Sequence, residues 1–265
     1  MSHYWRHPAV PHIEIRNVED GRRFSHELHA HSTFSIGAII AGESTYISGH
    51  TSRRIAAGSV VMMNPGVVHA CNPVHDQPWA YRMFYIEAGW LASIQHQTHA
   101  ATANGFIPFA DNYRVDPELF ATLDGLYSAL MSETDDAVMQ SKVCAFFEWL
   151  VARLQPQRDD GAPIPPKLSK AAAYIRERCE QALPLGDIAR AVQLSESYLI
   201  RAFKAHYGLT PHGYLVDCRL QCAREGLRLG RPIAEVAAQA GFADQAHLQR
   251  LFKRTLAATP GQYRG

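Results

Sequence analysis

The chain has 265 residues, enough at roughly 100–200 residues per domain for two domains. Its 47% hydrophobic and 19% charged residues exclude a disordered chain. Overall 26 Lys and Arg nearly cancel 25 Asp and Glu, a net +1 that taken whole argues against a nucleic-acid binder. Split after Pro166 the balance separates. In front, 11 basic residues meet 17 acidic ones (−6); behind, 15 meet 8 (+7).

Apolar runs such as Ala38–Ala41 and Val60–Met63 are far too short to span a bilayer, and no apolar stretch follows Met1 as a signal peptide would require. Cys71, Cys144, Cys179, Cys218 and Cys222 are odd in number and scattered, so no disulfide framework is expected. These features predict a soluble cytoplasmic protein, with no membrane partner. Cys218 and Cys222 stand one helical turn apart, a spacing that suits a redox or metal pair and equally suits two small packing residues.

Residues 12 to about 87 read as short strands, among them Thr33 to Ile40 and Ser59 to Met63, punctuated by Gly42, Gly49, Gly58 and Pro65-Gly66. Such spacing predicts a small barrel or sandwich. If His29-Ala30-His31 lies on a strand, both imidazoles share a face, and His69 follows a later strand and turn. Tyr81-Arg82-Met83-Phe84-Tyr85 is a strand with one charge among aromatics. Arg82 there suits a carboxylate ligand, or a surface position with its stem over apolar area.

After about residue 116 the period becomes helical. Leu119, Leu123, Leu126 and Leu130 form one stripe; Val143, Phe146, Phe147, Leu150 and Leu154 form another. Two such helices can cover the strands, pair with a second subunit, or do both. Gln155 to Pro166 holds four prolines in twelve residues and reads as a stiff linker. The expected domains are therefore 1–154 and 167–265.

The rear part is helical and repeats itself. Leu185–Leu194 aligns with Ile233–Phe242 at an offset of 48, Leu199–Lys204 with Leu248–Lys253, and Thr210-Pro211 with Thr259-Pro260. Each copy has the layout of a helix-turn-helix. The turns fall at Val192-Gln193-Leu194 and at Ala240-Gly241-Phe242, with Ser195 and Asp244 as helix caps. Leu199 with Phe203, and Leu248 with Phe252, form the buried sides. Ser197, Ile200, Arg201 and Lys204 then face outward in one copy; Gln245, Ala246, Gln249, Arg250 and Lys253 do so in the other. Arg suits guanine, Gln suits adenine and Ile a thymine methyl.

Ile188–Lys204 and Ile233–Lys253 together resemble the DNA-binding domain of the AraC-type transcription regulators, over nearly all of residues 168–264. The resemblance implies two recognition helices in successive major-groove segments, held apart by a Thr210–Leu229 helix about 28 Å long at about 1.5 Å per residue. Carrying over the family's contact positions adds His247 to Ser197, Ile200, Arg201, Gln245 and Arg250. Ile200 departs from the polar base reader usual there. Ala257 replaces the glycine that Gly208 supplies in the first copy, so a different helix end is expected.

Residues 24–90, with His29, His31 and His69, resemble the cupin barrel of such regulators' sensor domains. The implied fold class is multidomain α+β: a cupin-like β-barrel with two appended helices, then an all-α domain with two helix-turn-helix units. The implied function is a promoter-DNA-binding regulator responding to a small-molecule effector, acting with RNA polymerase and as a homodimer. His29, His31, His69, Arg82 and Tyr85 are its expected effector residues, with no cofactor. The second-unit sequence Gly241–Leu248 resembles regulators encoded near amino-acid exporters, implying an amino-acid-like effector. Metal-binding cupins add a carboxylate after the His pair, and here Thr33, Phe34, Ser35 and Ile36 stand there. The three His could still hold Zn²⁺ or Fe²⁺, which keeps a metal-dependent cupin enzyme as the alternative. A regulator without a small-molecule effector is a third reading.

Overall fold

The computed structural model describes residues 2–49, 51–75, 77–99, 105–157 and 164–265. The front part contributes strands β1 (Ser2–Trp5), β2 (Ile13–Val18), β3 (Phe34–Ala41), β4 (Glu43–Ser48), β5 (Thr51–Ala56), β6 (Ser59–Met63), β7 (His69–Pro73) and β8 (Ala80–Ile86), then helix α1 (Ala88–His99) and strand β9 (Tyr113–Val115). Helices α2 (Pro117–Ser132) and α3 (Asp136–Arg153) follow. One sheet runs β1-β2-β8-β3-β6-β9 and a smaller one β5-β4-β7. The hydrogen bonding does not close into the barrel expected from the cupin resemblance.

The reason lies partly in the histidine segment. Residues 29–31 form no strand. β3 begins only at Phe34, and His29 makes one isolated bridge, to His69. Alternation along β8 then builds two cores. Tyr81 and Met83 join Val18, Ile39, Tyr46, Ile55 and Trp79 between the sheets. Phe84 and Ile86 face the other way, with Ile13, Ile15 and the apolar stripes of α2 and α3. Both stripes are where the periodicity puts them: Leu119, Leu123, Val143, Phe147 and Leu150 are fully buried. Asp116 and Asp135 cap the two helices by accepting backbone N–H bonds. Helix α1 was not expected, and it buries Leu91, Ala92 and Ile94.

At the start of the proline-rich stretch, Gln155 accepts from Ala110 N–H and Gln157 donates to the Pro108 carbonyl. Residues 158–163 lie outside the described residues.

The rear part is helical: α4 (Pro166–Arg178), α5 (Leu185–Val192), α6 (Glu196–Tyr207), α7 (Pro211–Arg228), α8 (Ile233–Gln239), α9 (Gln245–Leu256) and α10 (Pro260–Arg264). By backbone proximity, residues 25–31 and 67–70 group with these helices and not with the strands that flank them in sequence. The first core gathers Leu168, Ile175, Ile188, Leu199, Phe203 and Leu215. Cys179 belongs to it, 3.8 Å from Cys222 between sulfurs. Burial pushes the Cys218 and Cys222 thiols up to about 12, so they pack as neutral thiols.

The repeat survives in its ends. Thr210 and Thr259 cap α7 and α10 through the same side-chain bond, each followed by Pro at the first helical position. Ala257 adopts the left-handed conformation of its counterpart Gly208 (φ 48° against 72°), so the two helices end alike and the expected difference is absent. An alanine there carries a steric cost of about 1 kcal/mol. Gly241 (φ 78°) has a second constraint: a Cβ would lie 2.6 Å from the Glu180 carbonyl oxygen. Ala257→Gly should therefore raise stability in urea by about 0.5–1 kcal/mol, whereas Gly241→Ala should lower it by more than that.

Candidate functional site

Each helix-turn-helix is assembled from local rules. In the first, Gln193 takes a left-handed conformation (φ 53°) and its N–H bonds back to Ala189 and Arg190 carbonyls, ending α5. Two residues on, Ser195 caps α6 by accepting from Tyr198 N–H. In the second, Gly241 makes the turn and Asp244 caps α9, accepting from His247 N–H at 2.6 Å. Leu199, Phe203, Leu248 and Phe252 are fully buried, which fixes the rotation of α6 and α9 about their axes.

That rotation turns the remaining faces to solvent. Ser197, Ile200, Arg201 and Lys204 are exposed on α6, and Gln245, Gln249, Arg250 and Lys253 on α9. Tyr198, not anticipated from the sequence, adds a half-exposed aromatic ring to the α6 face. His247 is half-buried and differs in kind. Its Nδ1 accepts from Ala243 N–H, so in the neutral ring Nε2 is the protonated nitrogen and offers a donor. Among the described residues, Arg201, Lys204, Arg250 and Lys253 make no ion pair, whereas Arg6, Arg22, Arg54, Arg82, Arg114 and Arg153 all sit against carboxylates. The α6 and α9 faces thus carry cations that no intramolecular anion neutralises.

The five residues expected around an effector do not converge. Arg82 sits on the helix-covered face of β8, paired with Asp124 of α2 and 4.0 Å from the Tyr127 ring centroid. Its neighbour Tyr85 packs on the opposite face, between the sheets. There it hydrogen-bonds Arg16, a residue that is 1% exposed. Arg16 also bonds Ser2 and lies over the Tyr4 and Phe24 rings. Two charges are buried on this face of β2, Arg16 and Glu14, the latter paired with Arg6, and no periodic signal in the strand marks them.

His29, His31 and His69 do come together, in the unit of the helices. Ring centroids are 4.5 Å apart for His29 and His69, 4.7 Å for His31 and His69, and 6.1 Å for His29 and His31. His29 Nδ1–H donates to the Glu27 carbonyl and His69 Nδ1–H to that of Val67. Burial drives the His29 imidazole well below its usual range, and neighbouring imidazoles add to this. Burial alone brings His69 down to about 4. Both rings are neutral at pH 7. No group of three or more His, Cys, Asp or Glu among the described residues is placed to hold a metal ion.

The unfolded chain takes up a proton on His69 near pH 6.5 and the folded chain only near 4. Its contribution is therefore intact above about pH 6.5 and is lost as pH falls toward 4, by up to about 3 kcal/mol. His29 acts in the same direction. Asp217, whose carboxyl burial raises to about 7, acts in the opposite one, weakening the fold as pH rises from about 4 to 7. Urea unfolding from pH 7 to 4 should show an acid loss of stability that His69→Gln makes shallower; an unchanged slope in that variant would count against the buried neutral imidazole.

An AraC-like ligand-binding domain model matches residues 14–159, and a helix-turn-helix domain model matches residues 188–265. The raffinose operon regulatory protein RafR of Pediococcus pentosaceus is 24% identical over 241 residues, 88% of this chain and 84% of that protein. The transcriptional activator RhaR of Mannheimia succiniciproducens is 25% identical over 246 residues, 89% and 86% of the two chains. Apo ToxT from Vibrio cholerae shares the fold at 14% identity, with a TM-score of 0.61 over 95% of this chain and 96% of that one. The chain belongs to the AraC-type transcription regulators, with an N-terminal ligand-binding domain and a C-terminal DNA-binding helix-turn-helix domain.

Proposed function

We propose that α6 and α9 are the two recognition helices and that they read successive major-groove segments from one face of promoter DNA. The observation that carries this is the pair of equivalent, un-neutralised faces. Arg201 and Lys204 stand on one and Arg250 and Lys253 on the other, at the ends of a spacer helix of 18 residues, about 27 Å long. The helical repeat of DNA is about 34 Å. Arg201 and Arg250 pair with guanine edges. Gln245 and Gln249 suit adenine, His247 offers one donor, and Ile200 meets a thymine methyl. Ser197, Lys204 and Lys253 hold phosphates.

The ligand-binding domain takes a small-molecule effector between its two sheets, where Tyr85 and Arg16 are polar groups beside an apolar cluster and the buried Glu14 carboxylate is already paired with Arg6. An amino acid fits that chemistry. The fatty acid in the ligand-bound structure of Vibrio cholerae ToxT is likewise a carboxylate. The chain works as a cytoplasmic homodimer that acts on RNA polymerase, with no catalytic step of its own. Its dimer contact is the apolar groove of α2 and α3 formed by Leu126, Ala129, Phe146 and Trp149.

In fluorescence anisotropy with a duplex selected by the full chain from a random library, Arg201→Ala and Arg250→Ala should each cost about 1–3 kcal/mol and relax specificity at one base position. Unchanged specific binding in both would overturn the recognition-helix assignment. Sedimentation velocity should show a dimer that Ala129→Glu converts to monomer; an unaltered dimer would place the contact elsewhere.

A further inference from the structure

Residues 25–31 and 67–70 interrupt the strand part of the sequence, yet they belong to the unit of the helices. They are held to each other by a two-way backbone bridge: His29 N–H donates to the His69 carbonyl at 3.2 Å and His69 N–H to that of His29 at 2.9 Å. The buried rings of His29, His31 and His69 pack this piece internally.

The joined piece touches three helices. At the end of α9, His26 Nδ1 lies 3.1 Å from the Thr255 carbonyl oxygen, and Glu27 N–H donates to that of Arg254 at 3.2 Å. The Arg254 guanidinium also pairs with the Glu27 carboxylate at 2.8 Å. On α7, the Asp217 carboxylate accepts from Ala30 N–H at 2.7 Å, and Gln221 donates to the Ala30 carbonyl. At the end of α6, Val68 lies over Gly208 so closely that a Cβ there would fall 3.1 Å from Val68 Cβ.

The piece therefore holds the C-terminal ends of both α6 and α9 while hydrogen-bonding the middle of the helix between them. Each contact has its own chemistry: an ion pair at α9, a buried carboxylate at α7 and an apolar contact at α6. We infer that residues 25–31 and 67–70 form a brace that sets the spacing of the two reading helices, with Glu27 and Asp217 as positioning residues for DNA recognition. This rests on the assignment of α6 and α9 as recognition helices. The brace contacts no base. It narrows the range of separations at which α6 and α9 can engage the duplex together, so its energetic signature is intolerance of altered spacing between the two DNA segments.

The test uses the full chain, the library-selected duplex, and the same duplex with one or two base pairs inserted between its two recognised segments. The wild-type chain should bind the lengthened duplexes at least tenfold more weakly. Glu27→Ala, which removes an exposed ion pair, and Asp217→Leu, which removes the acceptor for Ala30 N–H, should each cut that penalty at least threefold. Asp217→Asn keeps an acceptor oxygen and should retain the full penalty. If Glu27→Ala and Asp217→Leu lower the melting temperature but keep the wild-type penalty, the segments only stabilise the fold and the inference fails. Glu27→Ala alone decides the matter should Asp217→Leu not fold. A wild-type chain indifferent to the insertions would instead overturn the two-helix reading itself, a different and recognisable result.

Discussion

Helix α7 is the constraint on which the reading half of the molecule depends. It is the one helix packed against α4, α6, α8, α9 and α10, and so it belongs to the cores of both helix-turn-helix units. Its buried side is built for that double duty. Leu215 packs in the first core, while Leu220, Ala223 and Leu227 are buried further along the helix. Gly226 leaves room for Val236 of α8, whose Cγ2 would lie 3.0 Å from any added Cβ. The buried Arg224 and the exposed Arg228 both donate to the Tyr263 hydroxyl, tying α10 down. A rigid rod of fixed length between two equivalent units converts a sequence repeat into a fixed separation in space.

Charge follows the same division of labour. In the ligand-binding domain several arginines are matched to carboxylates, as in Arg6 with Glu14, Arg82 with Asp124, and Arg153 with Asp116 and Glu118. On the outward faces of α6 and α9, Arg201, Lys204, Arg250 and Lys253 stand without acidic partners, where phosphates can take the place of intramolecular anions. Near-neutrality of the whole chain conceals this, because the acidic excess lies in a part of the molecule that has no need to meet DNA.

What was legible in the sequence was whatever short-range rules dictate. Ser195 and Asp244 were recognisable as caps because capping needs only a side-chain oxygen and the next turn's N–H groups. The pairs Leu199 and Phe203, and Leu248 and Phe252, were recognisable because residues four apart share a helix face. The left-handed Ala257 differs from expectation because a conformational preference of about 1 kcal/mol is too small to dictate a helix end. Helix α1 is hard to read from sequence because its apolar residues, Trp90, Leu91, Ala92 and Ile94, cluster toward its start and leave no stripe along its length. The surroundings of the expected effector residues were illegible for a different reason. Whether Arg82 meets a ligand or Asp124 depends on a partner 42 residues away. Ala30 and Asp217 are brought together across 187 residues of sequence. Periodicity carries no information at that range.

The central claim is that two helices held about one turn of DNA apart read one face of the duplex. Hydroxyl-radical footprinting of the full chain on its selected duplex measures this directly. Two protected backbone patches about 10 base pairs apart on the same face are expected. A single patch, or protection distributed evenly around the duplex, would contradict it.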